Sequence, residues 1–196
     1  MSRKPSLLLA ALAVMAFALA AAGGASAHFP HFKNHKIVPG KQIGGLKVGM
    51  KKKQARKAWG KPDKIDTVAY KGYTWYQWLV PVDIGTGTSL LEPKIGYFMT
   101  KGKVAVIHIE LPQDPVLATR VKPLHTSKGI GLDDSMASAR SKYGIPTPPP
   151  GEATQSRANL KAGKRCTLFY APTKPYDTVE AITVGLCGAV PGGFSP

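Results

Sequence analysis

The side chains of this 196-residue chain that could do chemistry are five histidines, two cysteines and eleven carboxylates. Their spacing decides how much of that chemistry is available. Asp133-Asp134 is the only adjacent carboxylate pair. Neighbours in sequence do not converge on one bond, whereas acid hydrolysis needs two carboxyl groups held several ångströms apart. Acids just ahead of a helical stretch read instead as its cap, so Asp134 or Asp133 is expected to cap the helix that follows. No G-x-S-x-G is present to form a nucleophile elbow. Gly85-Thr86-Gly87-Thr88-Ser89 has no following Lys and does not make a phosphate-binding loop. No catalytic residue and no enzymatic activity are therefore expected.

The histidines divide into two kinds. His28, His31 and His35, with Phe29 and Phe32 between them, have the residue types for a metal site. They fall in a stretch, 28–40, that reads as a basic, flexible arm. Ligands that must be ordered on binding give up affinity, so neither a metal nor a cofactor is expected. His108 alternates with apolar residues in a strand-like run, the pattern of a part-buried, satisfied histidine. Cys166 and Cys187 are the only cysteines. An even count in an exported chain reads as a disulfide. The runs 166–171 and 179–187, folded back about Pro175-Tyr176-Asp177, bring them opposite each other.

Two clusters could do binding chemistry. From residue 33 to 64 Asp63 is the only acid among eleven Lys and Arg. Within it, Lys51, Lys52, Lys53, Arg56 and Lys57 crowd adjacent turns of one short helix. Like charges at that spacing repel by tenths of a kcal/mol per pair. The group is either an anion-binding patch or a solvated face. The second cluster is aromatic. Tyr73, Trp75, Tyr76 and Trp78 lie on one strand, where alternation sends the first two to one face and the last two to the other. One pair is a candidate partner-binding surface, with core packing as the alternative.

The elements that position these groups follow from periodicity. Arg3 and Lys4, an apolar run from Leu7 to Ala22 and Ala25-Ser26-Ala27 give residues 1–27 the form of a signal peptide cleaved after Ala27. The apolar run is short for the ~20 residues of a membrane span, so no stable span is expected. The formal charge of +16 favours anionic surfaces such as wall polymers, headgroups or acidic proteins. Export and the lack of nucleic-acid motifs argue against nucleic acid. A helix is expected over 51–59, with Ala55, Ala58 and Trp59 on one face and Gly60 and Pro62 ending it. Hairpins are expected about Lys71-Gly72 and Lys101-Gly102. In the second hairpin, alternation places Ile95, Tyr97, Met99, Val104, Val106 and His108 on one face, and Phe98, Ile107 and Ile109 on the other. Residues 82–92 read as a loop, 111–122 as a connector, and 135–143 as a second helix with Met136, Ala139 and Tyr143 along one side.

The two helical stretches belong to a repeated segment. Gly45-Leu46-Lys47-Val48-Gly49 through Gly60-Lys61-Pro62 recurs 84 positions on, from Gly129-Ile130-Gly131-Leu132 to Gly144-Ile145-Pro146. Repetition at fixed spacing marks one supersecondary unit used twice. The expected class is α+β, with two tandem units of helix followed by antiparallel sheet, over 41–122 and 126–187, and a loose tail over 188–196. The first copy, through Val48, Gly49, Met50, Ala55, Trp59, Gly60 and Pro62, resembles the opening of the SmpA/OmlA (BamE-like) envelope domain. Tandem copies on one exported chain are similar to the beta-lactamase inhibitor protein (BLIP) architecture, which implies two joined sheets offering a binding face. The second copy departs from the pattern, with Asp133-Asp134 in place of Gly49-Met50, and the lipoprotein cysteine of the envelope domain is absent. The resulting expectation is an exported, non-enzymatic protein that binds a protein partner through a sheet face and a basic patch. The alternative is a polyanion- or wall-associated protein held by its Lys-rich first unit.

Overall fold

The computed structural model describes residues 29–68, 72–83, 85, 89–149, 156–171 and 177–188. The expected signal peptide, Tyr70-Lys71, Thr86 to Thr88, Pro175-Tyr176 and the tail beyond Gly188 lie outside them.

The described residues form a mixed α+β structure of two sheets and three helices. In chain order the elements are β1 (Lys36–Val38), β2 (Gln42–Ile43), β3 (Leu46–Lys47), α1 (Lys52–Trp59), β4 (Lys64–Val68), β5 (Tyr73–Asp83), β6 (Ser89–Thr100), β7 (Lys103–Glu110), α2 (Pro115–Val121), β8 (His125–Thr126), α3 (Met136–Tyr143), β9 (Arg157–Ala162), β10 (Arg165–Tyr170) and β11 (Ala181–Leu186). One sheet has the order β4-β5-β6-β7-β11-β10-β9, all neighbours antiparallel. The other is small, β3-β2-β1-β8, with β1 and β8 parallel.

The main core lies between one face of the large sheet and the helices with the small sheet. α1 buries Ala55, Ala58 and Trp59, as its periodicity predicts. Trp59 is fully buried, edge-on to Phe32, Trp78 and Tyr97 at centroid distances of 5.3, 5.6 and 6.5 Å. α3 adds Met136 and Ala139, with Tyr143 stacked on Phe169. Its cap is Ser135, whose Oγ accepts from the Ser138 amide at 3.1 Å, and not either aspartate. Asp134 instead accepts from the Gly131 amide at 2.6 Å, and Asp133 pairs with Lys122 at the same distance.

Positions 84 apart share local geometry. The helices α1 and α3 are related by that offset. Gly45 and Gly129, Gly49 and Asp133, and Gly60 and Gly144 all have positive φ. Asp133 holds φ 73° where its counterpart is glycine, a conformation that aspartate tolerates better than most residues. Gly49 N and Val104 N bond to Val104 O and Met50 O; Asp133 N and Val179 N bond to Val179 O and Asp134 O. The residues just ahead of each helix thus bond in the same way to Val104, in β7, and to Val179, just ahead of β11.

Four more expectations need correction. The stretch 28–40 is not a flexible arm over its described residues. Ile37 is buried in β1, between β2 and β8, and Phe29 and Phe32 pack against the core. Burial of apolar side chains outweighs the basic composition there. The loop expected over 82–92 is largely strand, because β5 and β6 pair out to Asp83 and Ser89. The connector over 111–122 contains α2, begun by Asp114, which accepts from the Leu117 amide at 2.9 Å, and by Pro115. The alternation along β7 also breaks. A bulge between Phe98 and Met99 leaves Ala105 without an opposite residue, since Phe98 faces Val106 and Met99 faces Val104. One extra residue reverses the faces beyond it. Ile107 and Ile109 therefore enter the main core, and Val106 and His108 turn to the other side. Gly185, opposite Val106, makes room at this place: a Cβ there would meet Ala105 O at 2.7 Å.

Candidate functional site

The large sheet has a second face, and the bulge sets its contents. Tyr73, Phe98, Ala105 and Val106 form a small cluster with Trp75 packed against it, all on β5, β6 and β7. Trp75 stacks on Phe98 at 5.0 Å between centroids and lies across Gly96, where a Cβ would meet its Nε1 at 2.6 Å. Beside the aromatics, Gln77 donates to Asp66 at 2.6 Å, and Asp66 also pairs with Lys64 at 2.9 Å.

A charged cluster occupies the centre of the same face, where β7 meets β11. Thr183 stands opposite His108, and its Oγ1 lies 2.9 Å from His108 Nδ1. His108 Nε2 is 3.7 Å from Glu110 Oε2. Lys94 bonds Glu110 directly and reaches Glu92 at 3.2 Å. The expected satisfied, buried histidine is found, on the face opposite to the one that simple alternation assigns. Burial acts to raise the Glu110 pKa, but His108 and Lys94 outweigh it and hold the carboxyl below the usual glutamate range. Burial likewise acts to lower that of Lys94, while Glu110 and Glu92 carry it above the usual lysine range.

Hydroxyl, imidazole and carboxylate follow one another here in the order used by hydrolytic triads. Thr183 and His108 are only 4% and 3% exposed. β11 is paired on both sides, so its amides serve the ladder rather than an oxyanion. The arrangement suits a fixed polar centre rather than an attacking group.

That centre gives a pH prediction. A carboxyl whose folded pKa is depressed adds stability above its unfolded pKa, about 4.3, and loses it as pH falls through the folded value. Melting temperature should therefore fall on acidification below about pH 4. In Glu110→Gln the curve should be lower at neutral pH and flatter on the acid side. An unchanged acid limb in thermal scans of Glu110→Gln would remove Glu110 from this role.

The aromatic candidates separate. Tyr76 and Trp78 are buried in the main core, Tyr76 stacked on Tyr97 at 4.8 Å and Trp78 against Trp59. They cannot present a partner surface, because the helical layer covers their side. Tyr73 is buried within the second face. Trp75 is the one of the four that is only half-buried, although its indole Nε1 is itself covered.

The anion-binding candidates lie on the other side of the sheet. Lys51, the N-cap, and Lys52, Lys53, Arg56 and Lys57 on α1 are all exposed, pointing away from the core that Ala55, Ala58 and Trp59 enter. Lys52 Nζ lies 5.6 Å from the Tyr76 ring centroid. The first helical turn carries no acid, and three lysines sit at its positive end. This opposes the helix dipole, while Arg56 and Lys57 in the last turn favour it. Lysines and half-buried aromatic thus occupy opposite sides of the large sheet.

Cys166 and Cys187 form a disulfide, with Cα atoms 5.1 Å apart, that closes the β10–β11 hairpin. Among the described residues, no group of three or more His, Cys, Asp or Glu could hold a metal. Among them, too, no helix is long and apolar enough to cross a membrane.

No protein-family model and no curated protein matches this chain. Among solved structures it is similar to an extracellular SCP-domain protein of Bacillus anthracis, with 14% identity, a TM-score of 0.36, and coverage of 70% of this chain and 43% of that one. It is also similar to a cysteine-rich secretory protein of Staphylococcus aureus, with 11% identity, a TM-score of 0.48, and coverage of 80% and 48%. The chain spans less than half the length of either protein. At these values the likeness carries neither family nor activity.

Proposed function

We propose that this chain is an exported, non-enzymatic binding protein that engages a protein partner through the second face of its large sheet. The observation that carries this reading is that face itself. It holds an aromatic patch and a central polar cluster built from strands alone, while the helices pack on the opposite face. Apolar residues of strands and helices fill the main core, so a second ordered array on the far side has no part in closing it. Trp75 is half-buried on this face, and tryptophan is among the residues enriched in binding hot spots.

The reading includes two tandem units, 41–122 and 126–187, each a helix followed by antiparallel strands, joined edge to edge at β7 and β11. The shared φ signs, the 84-residue helix offset and the matching bonds just ahead of each helix support it. So does the joint. Val104 and Val179 are gripped alike, an offset of 75, and His108 pairs with Thr183 at that same offset. A local twofold axis would pass through that pair. Tandem SmpA/OmlA-like or BLIP-like units fit this plan. Export rests on the form of residues 1–27 and agrees with the disulfide.

A second reading, a protein held on a polyanion or wall polymer, is favoured by the five cations of α1 and its N-cap, none of them paired with a described carboxylate. One experiment separates the two. Retention on envelope and secreted fractions is compared for the unaltered chain, for Trp75→Ala with Lys94→Ala, and for Lys51, Lys52 and Lys53 all changed to Gln. The first reading expects the sheet-face variant to lose retention at least tenfold and the lysine variant to keep it. The second expects the reverse, with retention that falls steeply with salt. Retention by both variants at the level of the unaltered chain would reject both readings.

A further inference from the structure

A cavity of about 340 Å³ opens where the N-terminal segment crosses α2, lined by Phe29, Pro30, His31, Phe32, His35 and Arg120. It belongs neither to the second sheet face nor to the lysines of α1. Its lining holds one guanidinium, two imidazoles, two phenyl rings and a proline, with no carboxylate. We propose that this cavity binds a small oxyanion carried on a flat apolar body, a carboxylate or a phosphate monoester.

The site is built rather than draped. The His31 amide donates to Trp59 O at 3.0 Å, the Lys33 amide to Gly44 O at 3.0 Å, and His35 O accepts from the His125 amide at 3.0 Å. The segment 31–35 is thereby fixed at both ends and in the middle. Phe32 is wedged between Trp59 and Gly44, where a Cβ would come within 2.5 Å of its ring. Phe29 stands edge-on to Phe32 at 6.0 Å, which continues the aromatic wall from the core to the opening.

The polar groups converge without partners that would neutralise them. Arg120 Cζ lies 5.4 Å from the Phe29 ring centroid. A ring contact of this kind steadies a guanidinium while leaving its edge donors free for two oxygens of one anion. His31, His35 and Arg120 are exposed, and among the described residues none of them pairs with a carboxylate. A neutral ligand would use the phenyl wall and leave the guanidinium idle. A cation would meet the Arg120 guanidinium with no carboxylate in the lining to offset it. An oxyanion on a flat body uses both halves of the lining.

Titrations followed by amide and imidazole NMR shifts test this with phenyl phosphate, benzoate, inorganic phosphate and benzyl alcohol as probes. Phenyl phosphate, benzoate or both should bind and shift His31, His35 and Phe29, at least tenfold more tightly than benzyl alcohol or inorganic phosphate. The stronger of the two names the oxyanion. Arg120→Gln should weaken that probe at least tenfold, and Lys52→Gln with Lys53→Gln should leave it unchanged. Equal binding of benzyl alcohol, equal binding to Arg120→Gln, or shifts centred on α1 would each overturn the proposal. Because none of these residues lies on the second sheet face, either result leaves the partner-binding test unaffected.

Discussion

Replacing Trp59 by alanine should cost about 3–5 kcal/mol of folding stability, the largest loss expected of any single change in this chain. Trp59 is the last residue of α1, has no exposed surface and touches three other aromatic side chains. It ties α1 both to the N-terminal segment and to the large sheet. Phe32 comes from the N-terminal segment, Trp78 from β5 and Tyr97 from β6. Truncation would open a cavity that none of these can fill, since Phe32 is wedged against Gly44 and the strands are fixed by their ladders. Trp59→Phe keeps a ring at the same place and should lose well under half as much. Denaturant unfolding followed by far-ultraviolet circular dichroism would measure both without relying on indole fluorescence. A loss below about 1 kcal/mol in Trp59→Ala would mean that α1 does not anchor the core, in conflict with a large-to-small change at a buried aromatic.

The second large effect concerns the disulfide. Reduction, or Cys166→Ser with Cys187→Ser, should lower stability by roughly 3 kcal/mol on the chain-entropy model for a loop of this length. The linked residues are 21 apart in sequence, Cys166 within β10 and Cys187 just past β11, and these strands carry Phe169, Ile182 and Val184 into the main core. β11 is also the strand through which the β9–β10 end of the sheet reaches β7. A loosened hairpin should therefore raise hydrogen exchange first in β9 and β10, then in β7. Thermal scans with and without reductant give the stability change, and exchange mass spectrometry gives the order. If β4 and β5 exchanged first after reduction, the disulfide would not be the tie across this end of the sheet.

Much of this layout was legible in the sequence. Ala55, Ala58 and Trp59 announce the buried side of α1 by spacing alone. Lys101-Gly102 marks its hairpin because both residues adopt positive φ. The cysteines pair as the flanking runs suggest. The misreadings have physical causes. Alternation along β7 assumes an unbroken register, and one bulged residue, Ala105, invalidates it for Val106, Ile107, His108 and Ile109. The aromatic strand betrays its two faces but not which is covered, since that depends on where the helices settle. β9 has no strong strand composition, and Arg157 to Ala162 pairs because β10 offers it an edge. α2 did have a signal, Asp114-Pro115, the combination of cap and first-turn proline. The small sheet had almost none, because β1, β2, β3 and β8 are two or three residues each and owe their form to tertiary contacts. The cavity beside Arg120 joins residues about 90 positions apart, too far for any spacing rule.

The parallel pairing of β1 with β8 has a consequence for the order in which the chain can be completed. Lys36 and Ile37 meet His125 and Thr126, so one side of the first strand waits for a partner synthesised almost 90 residues later. Its other neighbour, β2, is local and available at once. A nascent chain stopped before residue 125 would hold an open strand edge and an uncovered Ile37. Closing so long a loop is a slow, late step. A polypeptide of this design gains from being held unfolded until β8 has emerged, a requirement that the proposed export across a membrane would meet of itself.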